Sequence, residues 1–251
     1  MTSLFSEILS GPTVSYPGGN ATFLITLRWI HFLAGITWIG LLYCVNLVNA
    51  PFMKELDPPT RGKVYPLLMS RMMLWLRVSA VITVLAGLIY WGSIVAADAQ
   101  NAGASSGTAM GSFFGIWTAA WALMYALLIP GKGVFDKWPV LALLNAIIVV
   151  AACWLFLSLN NHGWESNRLL AIGLGGGIGW VLLLNVWGVV WRIQKRLIIW
   201  TKESASTGKP MPEKSARMMR MAFLTSRISA WLTLPLLFFM GAASHYPMFG
   251  K

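Results

Sequence analysis

The chain has 251 residues, of which 57% are hydrophobic and 11% charged, and a formal charge of +11; soluble domains carry roughly 25% charged residues, so an ordinary water-soluble fold is excluded. Its 19 Lys and Arg gather in short stretches between apolar runs and form no basic face interleaved with aromatics. The charge therefore points to membrane topology and not to nucleic acid.

Residues 1–22 contain no positive n-region and no continuous apolar h-region, so the first spanning helix is expected to act as the targeting signal. About twenty apolar residues cross the hydrocarbon, and six such runs occur, at about 23–48, 72–96, 110–129, 139–159, 169–191 and 222–244. The expectation is an all-α polytopic bundle of six transmembrane helices forming a single membrane domain over 1–251. Lys54, Arg61, Lys63 and Arg71 lie between the first two runs, and Lys132 and Lys137 between the third and fourth. A basic loop over about 192–221, from Arg192 to Arg220, separates the fifth and sixth. The positive-inside rule makes these stretches cytoplasmic and both termini external.

Arg192 to Lys202 mixes basic residues with Ile193, Leu197, Ile198, Ile199 and Trp200, which suits a helix continuing out of the membrane or lying at its surface. Within the fifth run, Gly173 with Gly177 and Gly175 with Gly179 form overlapping GxxxG pairs. Such pairs mark close helix approach, the favoured reading; the alternative is that the gap beside the backbone admits a flat cofactor. Pro235 removes one backbone hydrogen bond from the sixth run and is expected to bend it. Cys44 and Cys153 both fall in apolar runs, and no CxxC or CxxCH occurs, so they read as small packing residues.

Arg28 and His31 are costly groups inside the first run and must be paired or must bind something. The expected topology puts His31, His162 and His245 at the same, outer side. No carboxylate lies inside any run, which argues against a proton relay and for metal ligation by neutral imidazole. Haem b needs only one or two such ligands; His31 and His245 are the candidate axial pair, with His162 as the alternate. Arg28 shares the face of His31 and either pairs with a haem propionate or snorkels to the headgroups. Trp38, two turns along that face, either packs on a bound ring or belongs to the core. Toward the inner side, Arg77, Arg227, Asn46, Asn49 and Asn185 either hydrogen-bond between helices or line a pocket for a quinone or polar substrate.

Several ordered segments carry a resemblance: Arg28-Trp29-Ile30-His31, Ala34-Gly35-Ile36-Thr37-Trp38-Ile39-Gly40, and Asn185-Val186-Trp187 with Trp191 and Lys195. Ser226-Arg227, Leu234-Pro235-Leu236-Leu237-Phe238-Phe239-Met240 and Ser244-His245-Tyr246-Pro247 follow. In this combination the chain resembles the membrane domain of the PuuD-type urate hydroxylase family. The resemblance implies a bacterial inner-membrane protein linked to oxidation of urate or another substrate, with electrons passing to a cytochrome c. Members of that type carry a C-terminal c-type cytochrome domain; no CxxCH occurs before Lys251, so a separate cytochrome c or a larger respiratory complex is the expected partner. Three functions follow as expectations: a haem b redox subunit, a urate hydroxylase-type oxidoreductase with a separate cytochrome c, and a cofactor-free scaffold subunit.

Overall fold

The computed structural model describes residues 18–130 and 137–249. The segment before residue 18 and Lys132 lie outside the described residues. Six long helices follow one another: α1 (Gly19–Glu55), α2 (Pro58–Asn101), α3 (Gly107–Leu128), α4 (Trp138–Leu159), α5 (Asn167–Thr207) and α6 (Ser215–Ala242). Each is long and apolar enough to cross a membrane, and no strand occurs among the described residues. The protein is an all-α, multi-pass membrane bundle, as its composition requires.

The helices outrun the apolar windows. The second begins at Pro58 and not near 72, the fifth runs to Thr207, and the sixth starts at Ser215. The expected loop 192–221 thus shrinks to 208–214. Hydropathy registers only the part of a helix that lies in hydrocarbon. At 1.5 Å per residue α2 is about 66 Å long, roughly twice the hydrocarbon thickness, so its first turns project beyond the core. They pack on the end of α5: the Tyr65 hydroxyl donates to Gln194 Oε1 at 2.5 Å, and a Cβ on Gly62 would stand 3.2 Å from that of Ala205. Local chemistry fixes the ends of this projection. Asp57 Oδ1 accepts the Thr60 N–H at 3.1 Å ahead of Pro58, an N-cap with proline in the first turn. Gly208, at φ 72°, closes α5 in the left-handed conformation.

α5 is the most buried span. Its glycines act as seats for rings from neighbouring helices: a Cβ on Gly177 would come 1.9 Å from Trp117 of α3, and one on Gly173 would come 2.5 Å from Phe156 of α4. Gly175 lies against the Leu236 carbonyl of α6. Pro235 lies inside α6, which is helical on both sides of it.

Two single-turn π segments interrupt the long helices, Cys44–Asn49 in α1 and Asn185–Val190 in α5. Both turn asparagines into the interior, where side-chain pairs join the helices. Asn46 Nδ2 donates to Ser226 Oγ at 2.8 Å, and Asn185 Nδ2 to Ser229 Oγ at 3.1 Å. Trp121 Nε1 donates to Asn185 Oδ1, and Tyr43 hydrogen-bonds Thr233 at 2.6 Å. Interhelical bonds of this kind average about 0.6 kcal/mol. Their value lies in fixing register: Tyr43 and Asn46 in the second half of α1 are tied to α6, and His31 in its first half is tied to α2.

Candidate functional site

Beside the Tyr43–Thr233 bond a slot of about 460 Å³ lies between α1, α2, α5 and α6, with Phe113 of α3 also lining it. Its volume falls in the range of small-molecule and cofactor sites. Arg28 and Ser244 stand at one end and Tyr43 and Leu182 at the other. Arg28 to Tyr43 measures about 22 Å along the helix. Gly35 and Gly40 of α1, Gly87 of α2, and Gly176 and Gly179 of α5 all line it. Phe32, Ile36 and Leu237 form the outer wall and are themselves exposed on the perimeter of the bundle. Among the glycines of the fifth helix, Gly173 and Gly177 seat the rings of Phe156 and Trp117, as close packing requires, and Gly176 and Gly179 line the slot.

His31 lines this slot, and its geometry is fixed from α2. The ring Nδ1 lies 2.8 Å from the Thr83 carbonyl oxygen. A carbonyl only accepts, so Nδ1 carries the proton and donates it. The ring rests on Gly87, where a Cβ would approach Cε1 to 2.8 Å and Nδ1 to 2.9 Å. Nε2 has no hydrogen-bond partner among the described residues. Among the described residues, the sealed side-chain polar atoms without partners are Trp38 Nε1, Asn49 Oδ1, Trp117 Nε1, Asn145 Oδ1 and Asn160 Oδ1. Nε2 is not among them and opens onto accessible space. In the neutral ring it presents a lone pair, held in orientation by a backbone carbonyl on the opposite nitrogen, which is the arrangement of metal-ligating histidines.

The other outer-side candidates distribute unevenly. Arg28 lines the slot at its mouth, exposed, with its guanidinium carbon 5.8 Å from the centre of the Tyr90 ring. Trp38 also lines it and is 2% exposed. Because its Nε1 is sealed, Trp38 does not offer the slot its N–H. His245 is exposed just beyond α6; its neighbours Ala243 and Ser244 line the slot and His245 does not. His162 lies in the α4–α5 connection, where Nδ1 meets Glu165 Oε1 at 2.7 Å. Burial alone would raise the Glu165 carboxyl. The hydrogen bond from the His162 ring and the backbone N–H groups of Glu165 and His162 outweigh it and hold the carboxyl below its usual range. His31 is thus the one histidine in the slot.

Of the five inner-side candidates, Asn46 and Asn49 line the smaller cavity there, about 200 Å³, beside Tyr65, Gln194, Ser226 and Ser229. Arg77 stacks instead on Trp191, 3.5 Å from guanidinium carbon to ring centre, with Trp187 at 5.3 Å and Nε donating to the Met73 carbonyl. Arg227 lies 5.7 Å from Trp138 and 5.6 Å from Phe223. Cation–π contact in place of a counter-ion explains how both charges are tolerated. Asn185 is spent on Trp121 and Ser229. Thr83 and Gly87 are the site residues that sequence patterns passed over. A lone glycine inside an apolar helix costs about 1 kcal/mol against alanine, and that unexplained cost is the one sign Gly87 gives.

No group of three or more His, Cys, Asp or Glu capable of holding a metal ion exists among the described residues. Compared with known proteins, the chain matches no protein-family model, no curated protein and no solved structure.

Proposed function

We propose that the protein is a redox subunit of a bacterial inner membrane that holds haem b in the α1/α2/α5/α6 slot through His31 alone. The observation carrying this is the single open imidazole nitrogen in a slot lined by no other His and by no Cys, Asp or Glu among the described residues. A bare metal ion would find one imidazole there and no carboxylate or thiolate. A haem brings four ring donors and needs only an axial base. The glycines would admit its flat ring, Trp38 would pack against it, and Arg28 at the mouth would meet a propionate. Such a group supplies one-electron chemistry; the chain's part is to orient the ligand, exclude water and place the redox centre near the outer end of the bundle. A cytochrome c or another respiratory subunit docking at that end would take or give the electron.

The length of the slot favours a second reading. About 22 Å of apolar trough with a lipid-exposed wall also suits a ring carrying a hydrocarbon tail, such as a quinol, whose hydroxyl would donate to Nε2. One purification separates the two. Reduced-minus-oxidised spectra should show haem b at one per chain, lost in His31→Ala and retained in His245→Ala. Folded protein without haem, or haem surviving His31→Ala, rejects the first reading; solvent extraction of the same sample then tests for quinol.

A further inference from the structure

At the opposite end of the bundle a larger cleft, about 710 Å³, lies where α5 leaves its apolar window and α6 begins. Arg192, Lys195 and Arg196 are spaced i, i+3, i+4 and so share one face of α5. Lys214 and Arg217, three residues apart at the start of α6, line the same cleft. Arg217 is anchored over the end of α3 by donating to the Ile129 carbonyl at 2.5 Å. Among the described residues, no acidic side chain lines it. Five cations around one cleft repel one another, so the folded arrangement favours an anion between them.

The floor says what kind of anion. Ile129, Val189, Ile193, Met218 and Met221 line the cleft beneath the charges, and Val189 and Ile193 are themselves buried in the bundle. A soluble phosphate would use the cations and gain nothing from this apolar floor; an acyl chain would use both. Trp191 and Trp200 flank the cationic face on α5, with Lys214 Nζ 5.4 Å from the Trp200 ring, the composition of a membrane–water interface. Basic clefts between helices at that depth bind phospholipid headgroups. Five cations exceed what one phosphodiester needs.

We propose that this cleft is a site for one phospholipid bearing two phosphates, with its headgroup between Arg192, Lys195, Arg196, Lys214 and Arg217 and a chain along Met218 and Met221. This holds whether or not the slot at the other end binds haem. The test uses full-length protein purified in phosphatidylcholine micelles, alone or doped with cardiolipin, or with inorganic pyrophosphate added. Retained lipid is read by native mass spectrometry and stability by thermal melting. Cardiolipin should be retained at one per chain and raise the melting temperature, while pyrophosphate should do neither. Arg192→Gln/Lys195→Gln/Arg196→Gln should weaken retention on the order of 100-fold. Lys63→Gln/Lys202→Gln/Lys209→Gln, which removes the same charge from exposed positions off the cleft, should leave it unchanged. Met221→Trp, which fills the floor without altering charge, should also weaken retention. Equal loss in both triple variants, full retention in the first, or equal stabilisation by pyrophosphate overturns the proposal.

Discussion

Replacing Gly87 by alanine tests the geometry of His31 without touching the imidazole. The new methyl would sit 2.8 Å from Cε1 and 2.9 Å from Nδ1 of the ring, whereas optimal carbon contacts lie at about 3.5–4.0 Å. The ring must therefore retreat by roughly 1 Å, and the 2.8 Å bond to the Thr83 carbonyl lengthens out of range. Overpacking costs about 1–3 kcal/mol and the lost hydrogen bond about 0.5–1.5 kcal/mol, against a gain near 1 kcal/mol from better helix propensity. A net destabilisation of about 0.5–3.5 kcal/mol follows, and on the haem reading proposed above haem content should fall as Nε2 moves. Gly92→Ala is the internal control: the same helix, the same substitution, and nothing within 4 Å of the added methyl. Thermal melts in detergent and haem-to-protein ratios read both. The double variant decides the cause, because with His31→Ala the Gly87→Ala penalty should vanish. A penalty of the same size in that background, or none with His31 present, would falsify the packing argument.

Three further outcomes are expected. Gly177→Ala places a methyl 1.9 Å from the buried Trp117 ring; it should cost at least about 3 kcal/mol or abolish folding, and Gly177→Ala/Trp117→Ala should recover part of that, as melts would show. Arg77→Lys removes a planar cation from its place 3.5 Å over Trp191 and should lower stability by about 0.5–2 kcal/mol, an effect absent in a Trp191→Leu background. Glu165, whose carboxyl is held below its usual range, contributes stability that is present above the unfolded value near pH 4.3 and is lost as pH falls through the lower folded value. The melting difference between wild type and Glu165→Gln should shrink on acidification below about pH 4.3; a difference constant with pH would count against it.

The apolar runs alone made the six spans legible, because burying twenty apolar residues per helix is the dominant free-energy term in a bilayer. They left out the projecting part of α2 and α5, where ordinary soluble-type contacts such as Tyr65 with Gln194 hold polar turns together. Arg28, His31 and Trp38 were legible as one face because all three lie on one helix, where spacing fixes direction. His245 was not, since it follows the last helical turns, where no periodicity says which way a side chain points. The inner candidates were found by their polarity, and polarity does not distinguish a pocket wall from an aromatic sandwich: Arg77 needed Trp187 and Trp191 at i, i+4 on another helix, a pairing that only the tertiary structure supplies.

The bundle repeats one device, a ring laid on a glycine of the neighbouring helix: Trp117 on Gly177, Phe156 on Gly173, Trp121 on Gly188 and His31 on Gly87. In the first two the ring is fully buried, and Trp117 leaves its own N–H sealed without a partner; shape alone justifies these contacts. His31 differs because its ring is only partly buried and its second nitrogen opens onto accessible space. If shape were the whole role, phenylalanine would serve as well. His31→Phe keeps a ring on Gly87 and loses only the bond to Thr83, so its stability should fall by about 0.5–1.5 kcal/mol, while on the function proposed above haem binding should be lost entirely. A His31→Phe protein that still binds would mean that the imidazole is a packing residue like the other three, and that the slot recognises its ligand by shape.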